Sequence, residues 1–162
     1  MSELKALRIS KKLTQQQASE MLGVSLRSYK EYENDIKKEN SIKYRYMLDV
    51  LEKYIVIDEE HGVLTTDEIK KACKTVLDEY EVKYCILFGS YAKGTATETS
   101  DVDLLVSGNV GGMRFFGMAE RLRTQLKKRV DLLDIRQLKD NTELLDEILK
   151  DGVKVYEQRK ER

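Results

Sequence analysis

A stretch in the second half of the chain, residues 84–106, places the strongest limits on its fold. It begins with an apolar run as long as a buried strand, is broken by Gly89-Ser90, and reaches a second apolar run that opens with Asp101-x-Asp103. Because side chains alternate between the two faces of a strand, Asp101 and Asp103 point the same way. Two neighbouring carboxylates repel each other unless a cation lies between them. The pair therefore predicts a site for a divalent metal ion.

Charge is distributed unevenly along the 162 residues, although the net charge is zero. Residues 1–45 carry ten Lys and Arg against six Asp and Glu, whereas residues 58–162 carry 18 against 21. A basic first part and a mildly acidic second part predict two units with different partners. Accordingly, we predict one domain over residues 1–57, a linker over 58–64 and a second domain over 65–162.

Hydropathy and cysteine content suggest where the protein works. No apolar run approaches the roughly 20 residues needed to cross a membrane, and the first residues lack the apolar core of a signal peptide. A cytoplasmic protein without a membrane segment is therefore expected. Cys73 and Cys85 are too few for a disulfide framework or a zinc site, so both are predicted to lie in the core.

The first unit reads as a bundle of short helices. Thr14 with Gln17 forms a capping-box start for a second helix, and that helix is predicted to end at Gly23. Ser25 follows almost at once as the N-cap of a third helix, and Ser41 starts a fourth. Two short helices joined by so tight a glycine turn are typical of a helix-turn-helix.

Residues 13–34 resemble the Cro/C1-type, or XRE, family of phage repressors. In that family the third helix enters the major groove of operator DNA and the start of the second helix touches the backbone and an outer base. The resemblance implies a DNA-facing set consisting of Gln15, Leu26, Arg27, Ser28 and Lys30. Arg27 would make a bidentate guanine contact, and Lys37 and Lys38 would touch phosphate. Some helix-turn-helix units serve only for dimerisation or partner docking, and this alternative stays open.

The second unit reads as strands alternating with helices. Thr65 and Glu68 form another capping box before an amphipathic helix, and the 84–106 stretch supplies two strands. A helix after residue 112, a third strand over 129–135, a helix over about 142–150 and a short strand over 153–156 follow. The pattern predicts an α/β or α+β fold with a small mixed sheet covered by helices.

The same stretch resembles the nucleotidyltransferase superfamily typified by DNA polymerase beta. Gly-Ser, ten residues and Asp-x-Asp form its signature, and the fuller string resembles the minimal single-domain branch, the MNT proteins. That branch has a later carboxylate in a Val-Asp-Leu context, which Asp131 matches here. Asp134, three residues on, is the rival, but the two face opposite sides of a strand. Lys93 stands where the family usually has Arg.

The resemblance implies a role for each residue. Transfer of a nucleoside monophosphate from ATP uses two divalent cations, expected to be Mg²⁺, and Asp101, Asp103 and Asp131 would hold them. Gly89 would let the backbone approach the triphosphate, and Ser90 would hydrogen-bond a phosphate oxygen at a helix N-terminus. Lys93 would neutralise phosphate without the bidentate geometry of Arg.

A helix-turn-helix joined to such a domain resembles the antitoxin of a HEPN/MNT toxin–antitoxin pair. The resemblance implies transfer of AMP from ATP to a tyrosine of a HEPN ribonuclease toxin, binding of the protein's own operator, and association with itself or with the toxin. Two alternatives stay open. One is a catalytically idle docking antitoxin or repressor. The other is an enzyme that modifies a small molecule, although such enzymes usually carry an added helical domain.

Overall fold

The computed structural model describes residues 1–159, so the last three residues of the predicted second domain lie outside the described part. The chain divides into two compact units, the first formed by Met1–Val56 and the second beginning at Ile57. The expected linker residues 58–64 thus belong with the second unit. Within residues 1–159, no helix is both long enough and apolar enough to cross a membrane.

The first unit consists of four α-helices and a 3₁₀ turn. They are α1 (Glu3–Ser10), α2 (Gln15–Met21), α3 (Leu26–Asn34), the 3₁₀ turn (Ile36–Lys38) and α4 (Ile42–Lys53). The caps predicted from the sequence are present: Thr14 and Gln17 form the capping box of α2, and Ser25 and Ser41 cap α3 and α4. Gly23 has a φ of +67°, which lets the chain turn directly from α2 into α3. The predicted all-helical helix-turn-helix bundle is confirmed.

The core of the first unit contains a charged network beside its apolar side chains. Leu4, Tyr29 and Met47 are among the fully buried residues. Against them, the Arg8 guanidinium donates two hydrogen bonds, of 2.8 and 3.0 Å, to the two carboxylate oxygens of Glu33. The Glu33 side chain has no exposed surface. A buried carboxylate is tolerated here because it is paired bidentately.

The second unit is a four-stranded mixed sheet with helices on both faces. Its elements are α5 (Thr66–Leu77), β1 (Val82–Phe88), α6 (Gly89–Lys93), β2 (Val102–Gly108), α7 (Met113–Leu126), β3 (Val130–Asp134), a 3₁₀ turn (Ile135–Leu138), α8 (Thr142–Asp151) and β4 (Val153–Glu157). The strand order is β3-β2-β1-β4. β1 is antiparallel to β2 and β4, whereas β2 and β3 are parallel. The predicted mixed α/β fold is confirmed.

Alternation along β2 assigns its side chains to two different cores. Leu104 and Val106 pack in the main cluster with α5 and α7, which also buries Cys73 and Cys85 as predicted. Leu105 faces the other way and packs with Ile148 of α8 in a smaller cluster. Asp103, two positions before Leu105 on β2, therefore lies on the face that α8 covers.

The Gly-Ser turn opens a short helix. Gly89–Lys93 form α6, so Ser90 lies in a first helical turn. Positive φ angles bound this helix, +69° at Gly89 and +74° at Gly94. These two glycines turn the chain into and out of a helix that has room for little more than one turn.

Candidate active site

Two of the three predicted carboxylates are neighbours across parallel strands. Asp103 on β2 pairs in register with Asp131 on β3. Asp101 lies two residues before Asp103, just outside β2, and its side chain is exposed, as is that of Asp131. Because Leu133 and Leu105 pack in the cluster under α8, the alternation puts Asp131 and Asp103 on that same face.

The glycine of the Gly-Ser turn lies directly against one of these carboxylates. In the antiparallel pairing of β1 and β2, Phe88 is opposite Asp103, and Gly89 follows with a positive φ. A Cβ atom at Gly89 would collide with the Asp103 carboxylate. Position 89 therefore requires glycine for two reasons, its backbone conformation and the close approach of Asp103.

The electrostatic environment of Asp103 is unusual. Burial is the largest cause, followed by the negative charges of Asp131, Asp101 and Glu147, and together they raise the pKa of Asp103 to about 6. Both causes disfavour the ionised carboxylate. A bound cation would offset the repulsion from the neighbouring carboxylates and stabilise the ionised form of Asp103.

The donor set suits a hard cation, although the site is not arranged around one. Within residues 1–159, no group of three or more His, Cys, Asp or Glu side chains is arranged so that it could hold a metal ion. Asp103 and Asp131 nevertheless offer carboxylate oxygens from adjacent strands, the ligand type that Mg²⁺ prefers.

The structure places the two predicted phosphate-binding residues on α6. Ser90 lies in its first turn and Lys93 in its last. The Lys93 ammonium donates a 2.8 Å hydrogen bond to Oε1 of Glu147 on α8, which raises the pKa of Lys93. Glu147 was not predicted from the sequence. It lies 54 residues from Lys93, and no local pattern links the two.

A second residue that the sequence did not reveal supports the loop between α6 and β2. Lys128 is fully buried, and its ammonium donates to the carbonyl oxygens of His61 at 3.0 Å and Glu98 at 2.7 Å. The amide of Gly62 also donates to Oε1 of Glu98. Lys128 thus ties the loop that follows α6 to the turn that precedes α5.

The rival carboxylate, Asp134, lies elsewhere. It pairs in register with Val106 at the far end of β2 from Asp103. Its carboxylate accepts hydrogen bonds of 2.9 and 2.7 Å from the Arg136 guanidinium, which holds the pKa of Asp134 below its ordinary value. Asp134 therefore has a partner within the fold and caps the 3₁₀ turn after β3.

In the first unit, the side chains of the predicted DNA-facing residues lie in different surroundings. Leu26, Arg27 and Lys30 line one open depression on α3, and the Arg27 side chain is 91% exposed. Gln15 instead points into the network below and donates a 3.0 Å hydrogen bond to Glu33. Ser28 accepts a hydrogen bond from Lys43 of α4, which adds a basic group beside α3.

The two further predicted phosphate contacts lie on the 3₁₀ turn after α3. Lys37 is exposed, whereas the ammonium of Lys38 is 3.2 Å from a carboxylate oxygen of Glu31 and lies over the Tyr32 ring.

Comparisons with known families match both units. Residues 70–161 match the family described as polymerase beta, nucleotidyltransferase, and residues 4–44 match a helix-turn-helix family. These matches agree with the two resemblances stated from the sequence motifs.

Named relatives and solved structures match part of the chain. A Methanocaldococcus jannaschii protein named "Putative protein adenylyltransferase MJ1215" is 36% identical over 67 residues, 40% of this chain and 78% of the relative. Another from that organism, "Putative protein adenylyltransferase MJ0435", is 33% identical over 94 residues, 57% of this chain and 99% of the relative. A crystal structure of a toxin–antitoxin with AMP-PNP aligns with a TM-score of 0.47 and 26% identity, over 59% of this chain and 76% of that one. A structure of a tri-AMPylated Shewanella oneidensis HEPN toxin in complex with an MNT antitoxin aligns with a TM-score of 0.45 and 20% identity. This alignment covers 58% of this chain and 74% of the other.

Proposed function

Because the chain belongs to the polymerase beta nucleotidyltransferase family, we propose that it transfers AMP from Mg-ATP to a hydroxyl of another protein. The observation that carries this proposal is the pairing of Asp103 with Asp131 beside Gly89 of the Gly-Ser turn. The names of the relatives support a protein as acceptor. Following the resemblance of the whole chain, we propose that the acceptor is a tyrosine of a HEPN ribonuclease toxin and that this protein is its antitoxin.

In the proposed reaction the acceptor hydroxyl releases its proton to water and its oxygen forms a bond to the α-phosphorus of ATP. The bond from that phosphorus to the pyrophosphate oxygen breaks, and pyrophosphate leaves. Mg²⁺, when bound, would neutralise phosphate charge and align the attacking and leaving oxygens. Asp103 and Asp131 would hold it, with Asp101 as a third oxygen donor. The missing side chain at Gly89 leaves the backbone open to the phosphates.

The two other residues of the motif would act on the triphosphate. Ser90 would donate a hydrogen bond to a phosphate oxygen, and Lys93 would neutralise part of the phosphate charge. In the free protein the Lys93 ammonium is paired with the carboxylate of Glu147.

A protein acceptor fits better than a small molecule. Both named relatives carry the name of a protein adenylyltransferase, which points to a protein as the acceptor.

The test is incubation of the protein with Mg²⁺, ATP labelled at the α-phosphate, and a HEPN protein from the same genome. We expect label on the HEPN protein, located at a tyrosine by mass spectrometry, and none with the Asp103→Asn variant. A folded wild-type protein that leaves the HEPN protein unlabelled would contradict the proposal. If Asp103→Asn still neutralised the toxin, the protein would instead be a docking antitoxin.

We further propose that the first unit binds operator DNA. The support is the helix-turn-helix match together with the exposed Arg27 and Lys30 on α3. A gel-shift titration with the DNA upstream of the gene tests it, using Arg27→Ala. Loss of one bidentate base contact should weaken binding about five- to hundredfold and relax the preference at one base pair. Equal, weak binding of every DNA sequence by the wild-type protein would favour a docking module.

A further inference from the structure

The ion pair between Lys93 and Glu147 joins two elements that are distant in sequence beside the candidate active site. Lys93 ends α6, the helix that begins at Gly89, and Glu147 lies in the middle of α8. The Nζ–Oε1 distance is 2.8 Å, with 42% of the Lys93 side chain and 34% of the Glu147 side chain exposed. The two groups are thus held at the surface, where solvent or a ligand can reach them.

Glu147 is also close enough to the aspartates to act on them. α8 covers the sheet face that carries Asp103, as the packing of Ile148 against Leu105 shows. Glu147 is one of the three negative charges that disfavour ionisation of Asp103. The carboxylate of Glu147 therefore adds negative charge to the place where an anionic nucleotide would bind, and it occupies the ammonium of Lys93.

A partly exposed ion pair of this kind is easily exchanged. Surface salt bridges contribute little to stability because both partners remain hydrated. Lysine, with a flexible four-carbon stem and a compact charge, can move from a carboxylate to a phosphate without the geometric demands of arginine. A triphosphate carries several negative charges, so it competes well with a single carboxylate for the same ammonium.

We propose that Glu147 lowers nucleotide affinity by holding Lys93 in the free protein, and that a bound triphosphate takes the Lys93 ammonium from it. This inference rests on the proposed function, since it assumes that the site binds a nucleoside triphosphate. Glu147 is then a positioning residue that acts through Lys93. The proposal also accounts for lysine at position 93, because the guanidinium of an arginine would pair bidentately, and so more firmly, with the carboxylate.

Equilibrium binding of a non-hydrolysable ATP analogue, methylene-bridged between the α and β phosphorus atoms, tests the proposal with Mg²⁺ present. Glu147→Gln keeps the shape of the side chain and removes its charge, and it should tighten binding roughly two- to fivefold. Lys93→Met should weaken binding. Asp146→Asn, an adjacent exposed carboxylate on α8, is the matched control and should leave binding unchanged.

The double variant Glu147→Gln/Lys93→Met distinguishes an effect of releasing Lys93 from an effect of removing negative charge near the nucleotide. If Glu147 acts by holding Lys93, the gain from Glu147→Gln should disappear in the Lys93→Met background. An equal gain in both backgrounds, or no gain in either, would overturn the proposal. The thermal midpoint of each variant should match that of the wild type, which excludes a folding effect.

Different results would refute the proposed function and the role of Glu147. A folded wild-type protein that binds no nucleotide would refute the proposed function and the role of Glu147 with it. A protein that binds the analogue and transfers AMP, but whose affinity does not respond to Glu147→Gln, would refute the role of Glu147 alone.

Discussion

Two carboxylates, one in each unit, have opposite electrostatic environments: Glu33 is buried and Asp103 is half-buried. Burial raises the pKa of Glu33, but the hydrogen bonds from Arg8 and Gln15 outweigh this, and the net pKa is lowered. Burial also raises the pKa of Asp103, and its charged neighbours, Asp131 first, raise it further, to about 6. Glu33 has cationic and amide donors, whereas Asp103 is surrounded by acids.

The difference separates a structural acid from a functional one. Glu33 is stabilised as an anion by donors of its own fold. Both of its carboxylate oxygens already accept hydrogen bonds, so they are not available to a ligand. Ionisation of Asp103 is unfavourable in the free fold, and a cation bound from outside would relieve it. A carboxylate cluster without an internal counter-ion is thus a better guide to function than burial alone.

The largest effect should follow from removing the cation beside Glu33. Arg8→Met leaves a buried carboxylate without its partner, which should cost the first unit about 3 to 5 kcal/mol of unfolding free energy. Hydrogen exchange measured by mass spectrometry on peptides from residues 1–56 would report this locally. Replacing Glu33 as well, in Arg8→Met/Glu33→Met, should restore much of the loss.

Arg27→Met is the matched control for Arg8→Met. Arg27 is 91% exposed and its guanidinium lies 3.5 Å from Glu31 of the same helix, so its removal should leave exchange protection unchanged. If Arg8→Met and Arg27→Met behaved alike, Glu33 would not depend on its partner and the contrast with Asp103 would be lost.

Removing the charge of Asp103 should reduce activity strongly and leave the fold intact, whereas Arg8→Met reduces stability. Asp103→Asn and Asp131→Asn should each reduce AMP transfer by about a hundredfold or more, because even outer-shell partners of metal ligands cost 10- to 100-fold. Asp134→Asn, on the same strand as Asp131, should lose stability and keep transfer, since Asp134 pairs with Arg136. Loss of transfer in Asp134→Asn alone would exchange the roles assigned to these two residues.

The contact between Gly89 and Asp103 can be tested with two glycines that share a backbone conformation. Gly89→Ala and Gly94→Ala both place a side chain at a positive φ, which should cost about 1 to 2 kcal/mol. Only Gly89→Ala also meets a carboxylate, so it should cost about 1 to 3 kcal/mol more and abolish transfer. Thermal unfolding and AMP transfer measure the two effects. Similar losses in both variants would mean that Asp103 moves aside freely.

Local signals in the sequence predicted much of the fold and part of the site. Helix starts at Thr14, Ser25, Ser41 and Thr65 depend on side-chain caps only three residues away, so they could be read directly. The same-face relation of the Asp-x-Asp motif follows from strand geometry. Asp131 required the family resemblance, because the register of parallel strands depends on a long connection.

The contacts that complete the site could not be read in this way. Glu147 meets Lys93 only because α8 packs beside α6, and Lys128 reaches Glu98 across 30 residues. In the sequence each is one charged residue among many, typical of a solvated surface. Gln15 illustrates the reverse case: its family position suggests DNA, yet its side chain turns inward to a carboxylate 18 residues away.

The smallest effect should appear in the response of the two carboxylates to pH. The pKa of Asp103 is about 6 in the fold and near 3.8 when unfolded, so its ionisation destabilises the second unit as pH rises through 6. Because the side chain is only half-buried, solvent screening limits this to about 1 kcal/mol. With EDTA present at pH 7 to 8, Asp103→Asn should therefore unfold at a higher temperature than the wild type, and the gap should close by about pH 4.

Glu33 has the opposite sign, because its folded pKa lies below the ordinary value of 4.5. Its contribution is complete above pH 4.5 and declines as the pH falls through the folded pKa. Glu33→Gln should thus be less stable than the wild type at neutral pH, with the difference shrinking only in acid. Thermal midpoints of wild type and both variants from pH 3 to 8 provide the measurement. If the stability differences of Asp103→Asn and Glu33→Gln from the wild type changed with pH in the same direction, the acids around Asp103 would not set its pKa. The assignment of Asp103 as a carboxylate that binds a cation would then be wrong.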